Sequence, residues 1–213
     1  METKSFTISL EKNPLISIKV IPGHFTTSNA HSNNYLDVSE LKSNAMVARD
    51  VSKILAAPYI SNTLVDTIVC MERTEVIGAY LAEELFKEGV MVINAGGRIH
   101  VVSPTSNING NLVFQDSAIE LILNKHILLL FASISSGHSY NSVKECLTYY
   151  GGNLVGVSTL FLASYEKHKE VNALFTANDI PNYKLFMPGF CEMCKAGVKL
   201  DAIVNSEGYT NIR

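Results

Sequence analysis

The residues of this chain best suited to chemistry lie in one short run, Ser135-Ser-Gly-His-Ser139. The run follows Ile127-Leu-Leu-Leu-Phe131, an unbroken apolar stretch of the kind that forms a strand buried on both faces. A helix is predicted from Ser139, or just before it, to residue 150, where Gly151-Gly152 ends it. Open α/β sheets present ligands at the carboxyl ends of their strands. A helix starting there offers unpaired N–H groups and a partial positive charge. Gly137 lets backbone approach an anion closely, and Ser135, Ser136 and Ser139 add hydroxyl donors. The expected chemistry is a monophosphate cradle, with the N–H groups of Gly137, His138 and Ser139 aimed at the anion and the His138 ring in solvent. Taken alone, the same residues also fit an ordinary strand-to-helix turn with Ser139 as N-cap.

The elements that must position this run alternate. Leu15–Ile21 alternates in polarity and predicts a strand ended by the turn signal Pro22-Gly23. Residues 25–40 are rich in Ser, Thr and Asn and read as a loop. Apolar spacing predicts a helix over 41–57, stopped by Pro58, and another over Glu75–Phe86. Buried strands are expected at Ile68–Met71, Val90–Ile93, His126–Phe131 and Leu154–Phe161, with a further one at Ile99–Val102. Ser103–Asn111 reads as a surface loop, Gln115–Leu123 as a short helical segment, and Asp201–Tyr209 as a short helix and turn. Strands alternating with helices at this spacing imply an α/β, doubly wound, mainly parallel sheet with helices on both faces. Glu72-Arg73-Thr74 follows a buried strand, so these side chains are expected at the same mouth as Ser135–Ser139.

Three segments, in order, carry a family resemblance. Ile127–Ser139 resembles the phosphoribosyl-pyrophosphate loop of the type I phosphoribosyltransferases. That loop has four apolar residues, two acidic residues, two variable positions, two hydroxyl residues, Gly, any residue and a hydroxyl residue. Ile68-Val-Cys-Met-Glu-Arg-Thr-Glu-Val-Ile-Gly78 is similar to the family's strand and pyrophosphate loop. Phe25-Thr-Thr-Ser-Asn-Ala-His-Ser-Asn-Asn-Tyr-Leu-Asp37 resembles the N-terminal segment of the orotate enzymes. The resemblance implies transfer of a 5-phosphoribosyl group between pyrophosphate and a nitrogenous base. It assigns the 5′-phosphate to Ser135, Ser136, Gly137, His138 and Ser139, the pyrophosphate to Glu72, Arg73 and Thr74, and the base to Asn34 and Tyr35. It implies Mg²⁺ held mostly by the substrate, and a homodimer. It also implies one domain over residues 1–213, with a hood segment at 1–40, a core at 41–165 and a C-terminal extension at 166–213.

The chain departs from that pattern in two places. The two acidic positions are Phe131 and Ala132, neither of which can hydrogen-bond a ribose hydroxyl through its side chain. A charge-assisted hydrogen bond is worth roughly 1.5–3 kcal/mol, and losing two implies a rate loss on the order of a hundredfold or more. The mobile-loop stretch Ser103–Asn111 also has no Lys or Arg; Arg98 is the nearby basic residue. Transfer with orotate is therefore expected to be weak or absent. A module that binds or senses phosphoribosyl pyrophosphate or a nucleotide without turnover is the alternative.

Of four cysteines, Cys70 and Cys146 sit in apolar patterns and read as buried small hydrophobes. Cys191-Glu-Met-Cys194, followed by Lys-Ala-Gly197, is similar to one zinc knuckle. A structural site needs four ligands, and there is no second Cys-x-x-Cys; the other two would have to come from histidines or a symmetry mate. His24, His31, His100, His126, His138 and His168 show no metal spacing, so no metal site is expected and the pair reads as free or redox-active thiols. A net charge of -3 without Lys/Arg clusters argues against a nucleic-acid partner. No leader-like or membrane-length apolar run is visible, and so few cysteines suit a reducing cytosol.

Overall fold

The computed structural model describes residues 5–11, 13–87, 92–108, 111–164, 168–187, 189–205 and 208–212. Its centre is a five-stranded, all-parallel sheet. In chain order the strands are β4 (Thr67–Cys70), β5 (His100–Val102), β8 (His126–Ile134), β9 (Asn153–Leu162) and β10 (Asn172–Thr176). In space the order is β10-β9-β8-β4-β5, so β8 is the middle strand.

Strand alternation sorts the side chains of this sheet into two apolar layers. Ile68, Cys70, Leu128 and Leu130 face one layer, covered by helices α2 (Ala45–Ala56) and α3 (Glu75–Phe86). Val69, Ile127, Leu129, Phe131 and Val157 face the other, covered by α5 (His138–Tyr149). The doubly wound expectation holds. Cys70 and Cys146 are buried among these layers, and burial pushes the Cys70 thiol up to about 12.

A second, largely antiparallel sheet takes β1 (Phe6–Leu10), β2 (Asn13–Thr26), β3 (His31–Asp37), β11 (Leu185–Phe186), β12 (Ala202–Asn205) and β13 (Gly208–Asn211). Ile16, Ile18 and Val20 of β2 join the α2–α3 layer, so the two sheets share apolar core. Short α1 (Ser39–Ser43) leads from β3 to α2, and α4 (Asp116–Ile119) precedes β8. The small hairpin of β6 (Thr105–Ser106) and β7 (Leu112–Val113) and the knuckle helix α6 (Glu192–Lys195) complete the elements used below. No helix among the described residues is long and apolar enough to cross a membrane.

Several sequence expectations are corrected. Pro22-Gly23 is not a strand end: β2 runs through it as a bulge, because Asp201 on the returning C-terminal segment bonds His24 through both side chain and backbone. The polar stretch 25–40 is not simply a loop: residues 25–26 end β2, and 31–37 form β3, which pairs with β2. Asp201–Tyr209 forms the β12–β13 hairpin, with β12 parallel to the end of β2, instead of a helix. The helix expected over 41–57 is broken at Asn44, whose side chain caps α2 by accepting from the N–H groups of Met46 and Val47. Val90 and Met91 lie outside the described residues; Val92 and Ile93 are not in a strand, and β5 takes the sheet edge.

Helix α3 lies tightly against the sheet at Gly78. A Cβ there would overlap Cys70 Sγ and stand 3.1 Å from Val101 Cγ1. Overpacking of this kind costs about 1–3 kcal/mol, against a helix-propensity gain of about 1 kcal/mol. Gly78→Ala is expected to lower the urea midpoint with an unchanged m-value; equal or greater stability would mean that α3 can ride away from the sheet.

Candidate functional site

Parallel strands place their carboxyl ends on one edge, and the chain opens a cleft of about 570 Å³ there. The floor is the loop after β8. Gly137 sits at φ 82°, ψ 0°, the left-handed conformation that glycine adopts without strain, and is the N-cap of α5. The first intrahelical bond runs from Asn141 N–H to Gly137 O. The N–H groups of His138, Ser139 and Tyr140 therefore precede the ladder, and the N-cap, a glycine, has no side chain to cap them. Ser135, Ser136, Gly137, His138 and Ser139 all line the cleft. The loop is braced from behind, where Ser164 Oγ donates to Ser135 O at 3.2 Å.

The second loop follows β4. Glu72 and Arg73 are consecutive non-glycine residues at positive φ, 56° and 64°. Such backbone costs of order 1–3 kcal/mol per residue and persists only where surroundings over-determine it. Here Lys42 Nζ donates to Glu72 O at 3.0 Å, and Glu72 Oε2 accepts from Ser133 N–H at 2.9 Å. Glu72 thereby places a carboxylate beside Ala132-Ser133, on the strand whose own acidic positions are apolar. Burial pushes the Glu72 carboxyl up, while the N–H groups of Ser133 and Ala132 and the Lys42 charge oppose that rise.

Glu72 and Arg73 line the cleft as the sequence implied. Thr74 does not. It is fully buried, and its hydroxyl is directed at the Met71 and Leu130 carbonyls, 2.9 and 3.2 Å away, so it serves the fold. Arg98 is exposed and precedes β5 at the amino end of the sheet, five residues and about 16 Å of strand rise from cleft-lining Ser103. It faces the wrong end to neutralise anything in the cleft. Lys42 of α1 does line the cleft; sequence reading missed it because no pattern links it to Glu72, thirty residues on.

The roof is β3 and the C-terminal hairpin. Asn34 is buried, and Tyr35 packs edge-on against Tyr209 with centroids 4.9 Å apart; both Asn34 and Tyr35 line the cleft. Burial, with Asp37 and Tyr209 adding, pushes the Tyr35 phenol up to about 12, so it stays a neutral donor at working pH. Phe131 is sealed in the second layer against Tyr140. Ala132 lines the cleft but offers no polar atom.

No protein-family model and no curated protein matches this sequence. Solved structures do. UMP synthase of Leishmania donovani matches at TM-score 0.55 and 15% identity over 89% of this chain and 37% of that one. Adenine phosphoribosyltransferase of Thermoanaerobacter pseudethanolicus matches at 0.52 and 14% over 75% and 95%. Orotate phosphoribosyltransferase of Mycobacterium tuberculosis matches at 0.50 and 12% over 75% and 90%. The fold is that of the type I phosphoribosyltransferases. At these identities the likeness carries the phosphoribosyltransferase fold alone.

Two outcomes test this phosphoribosyltransferase-fold cleft. A Cβ at Gly137 would stand 2.9 Å from His168 Nε2, besides being strained at its φ. Gly137→Val is therefore expected to abolish calorimetric binding of ribose 5-phosphate, and Ser136→Ala to weaken it. Unchanged affinity in a Gly137→Val protein that is folded by circular dichroism removes the loop from the site.

The second outcome concerns Glu72, whose carboxyl has a raised folded pKa. The folded state then holds this proton more tightly than the unfolded chain, so the group's stabilising contribution is present at low pH. That contribution is lost as pH rises from the ordinary carboxylate range through the raised folded pKa. Glu72→Gln is expected to melt higher than the parent at neutral pH, with the gap closing below pH of about 4. A lower melting temperature for the variant at neutral pH would mean that the ion's hydrogen bonds outweigh its burial.

Proposed function

We propose that the cleft binds 5-phosphoribosyl pyrophosphate and exchanges its pyrophosphate for a nitrogenous base. One observation carries this. The Gly137-led start of α5 and the left-handed Glu72-Arg73 turn, both anion-suited backbone, leave adjacent parallel strands and open on the same cleft. A cleft of this volume suits a nucleotide-sized ligand.

In the proposed reaction a ring nitrogen of the base forms a bond to ribose C1 as the C1–O bond to pyrophosphate breaks. The leaving group takes the electron pair, and the base gives up its proton. The chain's part is orientation and charge. The start of α5 anchors the 5′-phosphate, and the Glu72-Arg73 turn with the Lys42 ammonium receives the pyrophosphate. Asn34 and Tyr35 wall the base, giving hydrogen bonds and a flat aromatic edge. Glu72, beside Ala132-Ser133, takes the ribose hydroxyls that the family's loop carboxylates would hold. Its site next to Ser133 is the reason for assigning it to the sugar instead of to the pyrophosphate.

Mg²⁺ fits this donor set. Glu72 and Glu75 are the carboxylates lining the cleft, and one or two carboxylates plus substrate phosphates are what this ion takes. When bound it neutralises pyrophosphate charge.

A second reading, binding without turnover, is favoured by Phe131, whose side chain is fully buried and gives nothing to a ribose. The two readings separate in an assay with phosphoribosyl pyrophosphate, Mg²⁺ and a panel of bases including orotate and adenine. Calorimetric binding is expected, with pyrophosphate release slower than the ordinary enzyme range of about 1–1000 per second. Glu72→Gln is expected to reduce release a further tenfold or more, the order of one charge-assisted hydrogen bond. Binding with no release from any base supports the second reading, and absence of binding overturns both.

A further inference from the structure

Four side chains of metal-ligating type meet at the roof, one of them, His31, also lining the cleft. His24 and His31 come from β2 and β3, and Cys191 and Cys194 from the turn that starts α6. Their ligand atoms all lie within 4.8 Å of one another. His24 Nε2 is 3.1 Å from His31 Nδ1, 3.4 Å from Cys191 Sγ and 3.6 Å from Cys194 Sγ. Cys194 Sγ is 3.3 Å from His31 Nδ1. Tetrahedral coordination at ordinary zinc bond lengths gives ligand–ligand edges of about 3.3 Å for N–N, 3.6 Å for N–S and 3.8 Å for S–S. Those four of the six separations lie within about 0.3 Å of the corresponding edges.

Hydrogen bonding alone does not account for this packing. His24 is fully buried, and its Nδ1 lies 3.0 Å from the Val198 carbonyl, which can only accept. In the neutral ring the proton is therefore on Nδ1, and Nε2 carries one lone pair. Three groups crowd that single lone pair, which serves one hydrogen-bond donor. A cation at their centre accounts for all of them. The Nδ1–H to carbonyl bond is also the outer contact that orients a metal-bound histidine. The knuckle has the matching backbone: Cys194 N–H points at Cys191 Sγ, 3.5 Å away, and Gly197 at φ 73° turns the chain so that Val198 returns to His24.

We propose that His24, His31, Cys191 and Cys194 hold one structural Zn²⁺. Two thiolates and two imidazoles in a tetrahedron select zinc, and four protein ligands leave no open position for catalysis. The ion ties the β2–β3 hairpin to a segment 167 residues away in sequence. This goes beyond the proposed transfer reaction and stands without it.

The test uses the full chain, made in zinc-supplemented medium and dialysed. Elemental mass spectrometry is expected to find about one zinc per chain. Cys194→Ser and His31→Ala are expected to lose it, while Cys146→Ser, outside the cluster, keeps it. Chelator-treated protein titrated with Co²⁺ is expected to develop tetrahedral ligand-field absorption and thiolate charge transfer, both lost in Cys194→Ser. Folded parent protein without stoichiometric metal and without those bands on Co²⁺ addition overturns the site. Iron at the same stoichiometry overturns the assignment to zinc. Because no substrate is used, none of these outcomes depends on the fate of the proposed reaction.

Discussion

The site depends on the parallel middle strand β8. Residues 127–131 are fully buried, so every backbone group along that stretch must find a partner in a neighbouring ladder. β4 and β9 supply those partners on the two sides, both parallel. The exit point of the chain at Ile134 is thereby fixed in space, and so is the start of α5. Parallelism also sends β4 and β5 out at the same edge, which is why the phosphate loop, the Glu72-Arg73 turn and the Ser103 segment share one cleft although they are spread over the sequence.

Glu72 is where the elements of the cleft are joined. Its carbonyl takes the Lys42 ammonium from the hood side, and its carboxylate takes the Ser133 N–H from the adjacent strand. These bonds are what hold two successive left-handed residues in place. The apolar residues at 131 and 132 have a local cause. Phe131 fills the apolar layer under α5, where a carboxylate would be buried unpaired, and Ala132 leaves room beside which the Glu72 carboxyl fits. Glu72 supplies the carboxyl group at the neighbouring strand end. The chain carries the cost as backbone strain and a buried carboxyl, the kind of local conflict that functional sites retain.

The sheet core was legible because its signals are local. Apolar-rich runs of four to eight residues at 68–71, 127–131 and 154–161 have few alternatives to buried parallel strands. Gly137 announced its turn by lacking a side chain. Beyond β2 the antiparallel sheet was not legible, because the reason its segments are strands is distant. Ser32, Asn34 and Tyr35 are in β3 because β2 pairs with them, and Ala202–Asn205 is a strand because the end of β2 offers a free edge. No window of sequence contains both partners. The same holds for Lys42 beside Glu72, and for histidines 24 and 31 beside a Cys-x-x-Cys 167 residues on. A spacing rule looks along the chain, whereas these sets are assembled across it. Thr74 failed in the opposite sense: its place in a motif was clear, but the Met71 and Leu130 carbonyls claimed its hydroxyl.

The roof raises a stability question that the cluster of two histidines and two cysteines answers. Its apolar cluster has only Ile21, Phe25 and Ala202 fully buried, with Tyr35, Val204 and Tyr209 packed at the side. So small a cluster does not by itself hold a β3 hairpin and a C-terminal hairpin over an open cleft, and small structural units commonly rely on a metal or a covalent staple. A Zn²⁺ between His24, His31, Cys191 and Cys194 fastens the same two segments that the small cluster joins weakly. His31 and Tyr35 are four residues apart on one strand, so their side chains lie on the same face. Fixing the His31 ring therefore fixes the register at which Tyr35 meets Tyr209 and the cleft.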